Sequence, residues 1–369
     1  MTDEEPLVID DAPLADPAQV RRAMEHYAAR GWTDGLPVVP VTASYLEEFL
    51  ATTARDPQEV VHPMPHLNRN LTVRLAAINA ALAGCLPEYF PVVLAAWDSF
   101  RLDGGTLKGI WQSTTGTAPF TVVNGPVRNR IGLNCRGNLF GSGFRANATI
   151  GRAIRLGAIN AFGLRPHVLD QATQGTPAKY TCCIAENEED SPWPPLHVDN
   201  GLSAGDSACA STVIRSVMQI EARHTIIGEQ LVADLADTIC RTGAMVRAFA
   251  SVYVVLNPEH ALLLDKLGWS KQDLKQAIAE RGTRTYRQLE ASGKEAIAKG
   301  TGWRVPADHP DALPQEAPAD LDTPVQIIRS THDVQVVVAG APNAGVSSVV
   351  ETFGAVNRPP SVVKIEEMR

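Results

Sequence analysis

The chain has no run in which Lys and Arg gather. They number 33 against 41 Asp and Glu, a formal net charge of -8, so binding driven by neutralising nucleic-acid phosphates is excluded as a main activity. The opening residues, MTDEEPLVIDDAPLADPAQ, lack the positive and apolar regions of a secretion signal. No stretch approaches the roughly 18 uncharged apolar residues of a membrane span, and a cytoplasmic protein is expected. Cysteine is scarce, with six in 369 residues, so a disulfide scaffold is excluded and reduced thiols are expected. Cys182 and Cys183 are adjacent, and a bridge between Cα atoms about 3.8 Å apart would be strained. There is no HExxH, no CxxC pair and no three-histidine cluster, which leaves a structural zinc site without ligands. The GxSxG elbow, the Walker loop and the dinucleotide fingerprint are also missing, so neither ATP nor NAD is supported. No cofactor is predicted from these absences.

What is present reads as an ordinary globular chain, 44% hydrophobic and 20% charged. Residues 1–18 form an acidic tail without periodicity. A helix opens at Asp16-Pro17 and ends near Gly31, and GWTDGLPVVPVT is a turn into an extended segment. Thr42 or Ser44 caps a helix over 45–54. Leu71, Leu75, Ile78 and Leu82 stand at helical spacing with Gly84 as a left-handed stop, and Pro87 starts a buried helix through about Arg101. Phe120-Thr-Val-Val-Asn-Gly-Pro, Ser251-Val-Tyr-Val-Val-Leu-Asn-Pro and Val334-Gln-Val-Val-Val-Ala-Gly each read as a β-branched strand running into a turn. A glycine-rich loop leads into a helix whose small residues imply close packing, and further helices are expected at 226–243, 258–267 and 270–281. The fold class is α/β, a mixed sheet flanked by helices, with two lobes packed as one unit. The expected division is a main unit over 19–304, a Pro/Asp/Ala-rich linker over 305–324, and C-terminal strands over 325–369 packing back on the main unit.

Chemistry concentrates between Gln174 and Val198, QGTPAKYTCCIAENEEDSPWPPLHV, where two thiols, four carboxylates, two amides, a lysine and a histidine surround one expected strand. Alternation over Tyr180–Asn187 places Cys182 and Glu186 on one side, Cys183 and Asn187 on the other. A thiolate becomes a useful nucleophile when a cation or base lowers its pKa, and Lys179, His197 or His224 could serve. The bland alternative is that both cysteines are small core residues. Glu186 suits a proton carrier, and Glu186 with Glu188 could hold a carboxylate-bound divalent metal; exposed acidic loops are common, and Glu189 and Asp190 read as solvated.

A second constellation lies just upstream. Gly137, Gly141 and Gly143 precede Asn147 and Thr149, with Arg145 and Arg152 alongside, so that helix-start amides and an arginine could seat a carboxylate or phosphate. Against this stands a glycine turn capped by Asn147. Asn124, at the end of an expected strand, joins the binding candidates with Lys179 and Asn187. Asp34 and the Gly340 loop are weaker ones. His62 and His66 are four apart, but Pro63 and Pro65 forbid the helix that would align them.

The phrases RGWTDGLPVVPVT (30–42), INAALAGCLPEYFPVVLAA (78–96), VVNGP (122–126), RANATIGRA (145–153), QGTPAKYTCCIAENEEDSPWPPLHV (174–198) and LNPEHALLLDKLGWSK (256–271) together resemble an uncharacterised bacterial family, the partner or fused domains of selenocysteine-Gly-Ser-Cys (UGSC) proteins. The resemblance implies a bacterial cytosolic α/β protein tied to thiol or selenol redox chemistry or to small-molecule catabolism. It places the family's recurring thiols on Cys85 and Cys183. Cys182 departs from an aromatic residue of that family, and GAPNAGVSS is poorer in glycine and histidine than the family's closing loop. No UGSC motif occurs in this chain, so any selenocysteine would reside in a separate protein.

These readings converge on an enzyme, a lyase, hydratase or hydrolase, acting on a small anionic organic molecule without a nucleotide cofactor. Cys183, Glu186, Cys85 and His197 would be catalytic, and Arg145, Asn147, Thr149, Asn124, Lys179 and Asn187 would bind substrate. A homo-oligomer is expected. The competing reading is a thiol-bearing partner subunit of a redox (seleno)protein.

Overall fold

The computed structural model describes residues 17–104, 109–243, 246, 250–294, 317–353 and 359–367. The expected tail (1–18) and linker (305–324) lie largely outside these residues. The chain divides into two compact units, one of residues 1–188, 195–215 and 360–369, the other of 189–194 and 216–359. That division falls elsewhere than the expected breaks at 304 and 325, because strands from late in the chain pair with strands from its middle.

The first unit opens with helices α1 (Pro17–Ala29) and α2 (Ala43–Leu50). Thr42 caps α2, its side chain accepting from the Tyr45 amide. Strands β1 (Val60–Met64) and β2 (Arg69–Thr72) form an antiparallel hairpin. His62 therefore sits on a strand and His66 in the turn, as the two prolines require. Helix α3 (Val73–Ala83) ends at Gly84 with φ of 88°, a left-handed cap. Helix α4 (Phe90–Asp103) is buried along almost its whole length, and Trp97 and Phe100 pack with Trp111 into an aromatic cluster.

Strand β3 (Ala118–Asn124) is buried at all seven positions, the pattern of a strand covered on both faces. After the short helix α5 (Val127–Arg130) comes α6 (Arg145–Phe162), the longest helix described, which packs on α3, α4, β2, β3 and β4 (Cys183–Ala185). A Cβ at Gly151 would lie 2.4 Å from Thr181 Oγ1 and 2.9 Å from the Cys182 amide nitrogen. The small residue is what lets α6 approach the chain entering β4. The strand expected over 180–187 is only three residues long, since residues 177–179 form a tight 3-10 turn and Tyr180 is exposed. β4 pairs parallel with β3, and β3 pairs antiparallel with β5 (Ala208–Glu221), which follows the short helix α7 (Leu196–Asp199).

β5 begins in the first unit, and its residues 216–221 belong to the second. There α8 (Gly228–Cys240), α9 (Pro258–Lys266) and α10 (Lys271–Arg281) occupy the places expected for them. Asn257 caps α9, and Ser270 forms a capping box with Asp273. β6 (Val252–Leu256) is the centre of a mixed three-strand set. The short β7 (Thr283–Thr285), α11 (Tyr286–Ala291) and β8 (Pro324–Gln326) precede its partners, β9 (Val334–Val338), parallel, and β10 (Val346–Thr352), antiparallel. Val254, Leu256, Leu264, Leu274 and Val336 form this unit's own core. The chain then returns to the first unit as β11 (Val362–Lys364), antiparallel to β5. Both units are thus mixed sheets flanked by helices, the expected α/β class. Among the described residues no helix is long and apolar enough to cross a membrane.

Candidate functional site

The first unit holds two polar constellations. One is a sealed knot at the end of β3, and the other lines an open cavity at the C-terminus of α6.

In the knot, β3 ends on Asn124, whose Nδ2 donates to Glu186 Oε2 at 2.7 Å and Glu188 Oε1 at 3.2 Å. Glu186 also accepts from the Leu196 amide at 2.8 Å, and Glu188 from the Gly125 amide at 2.7 Å. Arg128 donates through Nη1 to the Glu186 carbonyl at 2.6 Å and sits 3.1 Å from Glu188. Asn124, Glu186, Asn187 and His197 are each 0% exposed. Both ring nitrogens of His197 and the Asn124 Oδ1 find no hydrogen-bond partner among the described residues. The knot brings four expected site residues together, but no solvent reaches them. The Arg128 guanidinium and the N–H donors already occupy the carboxylate oxygens of Glu186 and Glu188, the pair that could have held a divalent metal. Among the described residues, no group of three or more His, Cys, Asp or Glu is placed to hold a metal ion.

The thiols are likewise enclosed, as all six cysteines are buried. Burial pushes the Cys85 and Cys182 thiols up to about 12, and raises Cys183 well above the ordinary range, with the neighbouring sulfurs adding to the effect. A protonated, enclosed thiol is a poor nucleophile and a poor docking point for a redox partner. Cys183 belongs to the apolar core together with Cys85 and Cys209.

The expected anion seat at the start of α6 is put to other uses. Asn147 does not cap the helix. Its Oδ1 accepts from the Asn134 amide at 2.8 Å, and its Nδ2 donates to the carbonyls of Asn134 and Cys183, tying the glycine loop to β4. Arg145 Nε donates to the Gly84 carbonyl at 3.0 Å, and Thr149 Oγ1 to the Arg145 carbonyl at 2.8 Å. Asn147 does meet Cys183, but through a backbone carbonyl and not across a cavity.

Lys179 lies elsewhere, in a cavity of about 630 Å³ that it lines with Asp34, Arg155, Arg165, His167 and Asp170. Two cations flank one carboxylate there. Arg155 Nη2 donates to Asp170 Oδ2 at 2.8 Å, and Lys179 Nζ to both Asp170 oxygens at 2.7 and 2.6 Å. Burial lowers the Lys179 pKa by more than its ion pair raises it, so the amine gives up its proton more readily than a free lysine. Burial acts to raise Asp170, but the bonds from Lys179 and the two positive charges outweigh it and hold the carboxyl below its usual range.

Helix α6 organises the cations. Its last carbonyls carry partial negative charge and lack intrahelical donors, and Arg69 Nη1 donates to that of Phe162, while Arg155 Nη2 donates to the Leu164 carbonyl just beyond the cap. Gly163 caps the helix at φ of 68°, and a Cβ there would lie 2.2 Å from Arg69 Nη1. Two residues on, the Arg165 guanidinium lies flat over Gly31, its Nε, Cζ and Nη1 3.5 to 3.6 Å from where a Cβ at Gly31 would stand. It makes no hydrogen bond or ion pair with a described residue, and its Nε is buried without a partner. Asp34, a weak candidate on sequence grounds, pairs with Arg152 through two 2.8 Å bonds and shapes the cavity's edge. His167, also at the edge, holds a left-handed φ of 65° that side chains other than glycine rarely adopt.

Sequence reasoning found Lys179 and missed Arg155, Arg165 and Asp170. A signal did exist: an arginine at 155 among small and apolar helix residues needs a buried partner, and an Asp fifteen residues on could supply it. No protein-family model, curated protein or solved structure matches this chain, so its assignment rests on the geometry of this cavity.

Proposed function

We propose that the protein is an enzyme acting on a small anionic organic molecule, a lyase or hydratase, with its acid/base chemistry carried by Lys179 and Asp170 in place of a thiol. The observation that carries this reading is the unpaired Arg165 guanidinium in the cavity that also holds the Lys179–Asp170 pair. An arginine kept free of internal partners is a preorganised fork for a carboxylate. A lysine whose proton is loosened by burial is suited to take one from the carbon beside that carboxylate. Asp170 keeps the amine aimed and stabilises its protonated form. The hydroxyl leaving the neighbouring carbon departs as water with a proton from a second carrier, for which the His167 imidazole at the edge is the nearest candidate in kind. The products are an unsaturated acid and water, and the reverse direction is hydration.

The test is a panel of 3-hydroxycarboxylates followed by absorbance of the conjugated acid. Turnover by the wild-type chain is expected, with loss of at least 100-fold in Lys179→Met, as for removal of a general acid/base, and a raised KM in Arg165→Ala. Turnover that survives Lys179→Met, or a carboxylate-binding isotherm unchanged by Arg165→Ala, overturns the reading.

A further inference from the structure

A second cavity, of about 960 Å³, abuts the first and shares two of its walls, Ile159 and Arg165. It is lined by Gln58, Asn68, Asn70 and Asn160 around Arg69 and Arg165, and among the described residues none of its lining is a carboxylate. Arg69 is held in place by the Phe162 carbonyl and the bare Cα of Gly163, so its guanidinium is positioned before any ligand arrives. In the first cavity Arg155 and Lys179 are both paired with Asp170. Among the described residues, the second balances neither arginine with a carboxylate on its own walls. Arg165 therefore stands at a junction, with an acid/base pair on one side and, on the other, an amide-lined space whose charge calls for an anion.

We infer that the substrate is an elongated dianion, one anionic group seated on Arg165 beside the Lys179–Asp170 pair and a second, separated by a short carbon chain, reaching Arg69 in the amide-lined cavity. This rests on the function proposed above and adds the substrate class. The amides suit the oxygen atoms of such a ligand, since a neutral NH2 donates to an anion without requiring a counter-charge. A carboxylate and a phosphate share this chemistry, and either could form the far end.

Isothermal titration of the full chain at fixed pH and ionic strength distinguishes the possibilities. The probes are acetate and propanoate, the diacids malonate, succinate, glutarate and adipate, and 3-phosphonopropanoate. Affinity is expected to rise at least tenfold from propanoate to the diacid whose length spans the junction, and to fall again in shorter diacids. Arg69→Ala should remove that gain and leave propanoate binding unchanged. Asn70→Leu, which fills the second cavity at an exposed strand position, should do the same if Arg69→Ala fails to fold. A 3-phosphonopropanoate isotherm tighter than that of every diacid supports the dianion and names phosphate as its far end. If propanoate itself does not bind, or binds without regard to Arg165→Ala, the proposed function fails. If propanoate binds through Arg165 but chain length has no effect, or both second-cavity variants keep the diacid gain, this inference alone is overturned.

Discussion

Arg155, Asp170 and Lys179 form the most exposed-to-test feature at the scale of single residues, since Asp170 is 4% exposed and serves two cations at once. Removing one partner of a buried ion pair leaves the other charge uncompensated, at a cost of about 3–5 kcal/mol. Asp170→Ala is expected to lower unfolding free energy by roughly that amount in urea titrations, whereas Arg165→Ala, which breaks no pair, should leave it nearly unchanged. His62 gives a separate reading. It is fully buried against Trp97 and Phe162 with ring centroids 5.4 and 5.7 Å away, and burial pushes its pKa down to about 4. The unfolded chain takes up this proton near pH 6.5, the folded chain only near 4, so stability is full above 6.5 and is lost as pH falls between those values, by about 3 kcal/mol. His62→Phe should flatten that part of the Tm against pH curve. An unchanged slope would mean the imidazole is protonated in the folded state. The cysteines belong at this scale too: Cys85, Cys182 and Cys183 should resist iodoacetamide at pH 8 until denaturant is added, because their thiols are enclosed and raised.

At the scale of elements, α6 links the core to the site. Its middle approaches the chain before β4 at Gly151, and its end collects the arginines. Gly151→Val would drive methyl groups into Thr181 and the Cys182 amide, and overpacking of this kind costs about 1–3 kcal/mol. A fall in thermal stability with weakened carboxylate binding is expected, read by calorimetry and titration. Much at this scale was legible in the sequence. The 3.6-residue spacing of Leu75, Ile78 and Leu82 with Gly84 behind it, the cap at Thr42, and the β-branched runs before Asn124 and Asn257 each carry their own local cause. β5 was not legible, although it has fourteen residues. ACASTVIRSVMQIE has no turn punctuation and mixes small, polar and apolar residues without a clean period, so its pairing with β3, β10 and β11 makes it a strand.

For the whole molecule, the return of the chain matters most. Residues 360–367 bring β11 to β5, the Ser361 carbonyl to Ser99 Oγ at 2.5 Å, Lys364 to Asp206 at 2.6 Å, and Ile365 into the first core. A chain truncated after residue 359 is expected to lose several kcal/mol from the first unit, of which burial of Ile365 accounts for about 1.5–3 kcal/mol. Calorimetry would record this as a lowered transition that propanoate, seated in the first unit, still shifts upward. An unaltered transition would mean that the strand contributes little.

Two things follow from the order of residues alone, because they depend on neighbours a few positions apart: the alternating α/β elements with their caps, and the polar character of the segment from Gln174 to Val198. Which of those polar residues meet a cavity depends on contacts between residues far apart in the chain. Burial in the core raised the thiols, the end of β3 enclosed Glu186 and His197, and the Phe162 and Leu164 carbonyls, at and just past the end of α6, hold Arg69 and Arg155 while Arg165 is left free. Long-range packing sets the solvent exposure and charge balance of each group, and no local pattern contains that information.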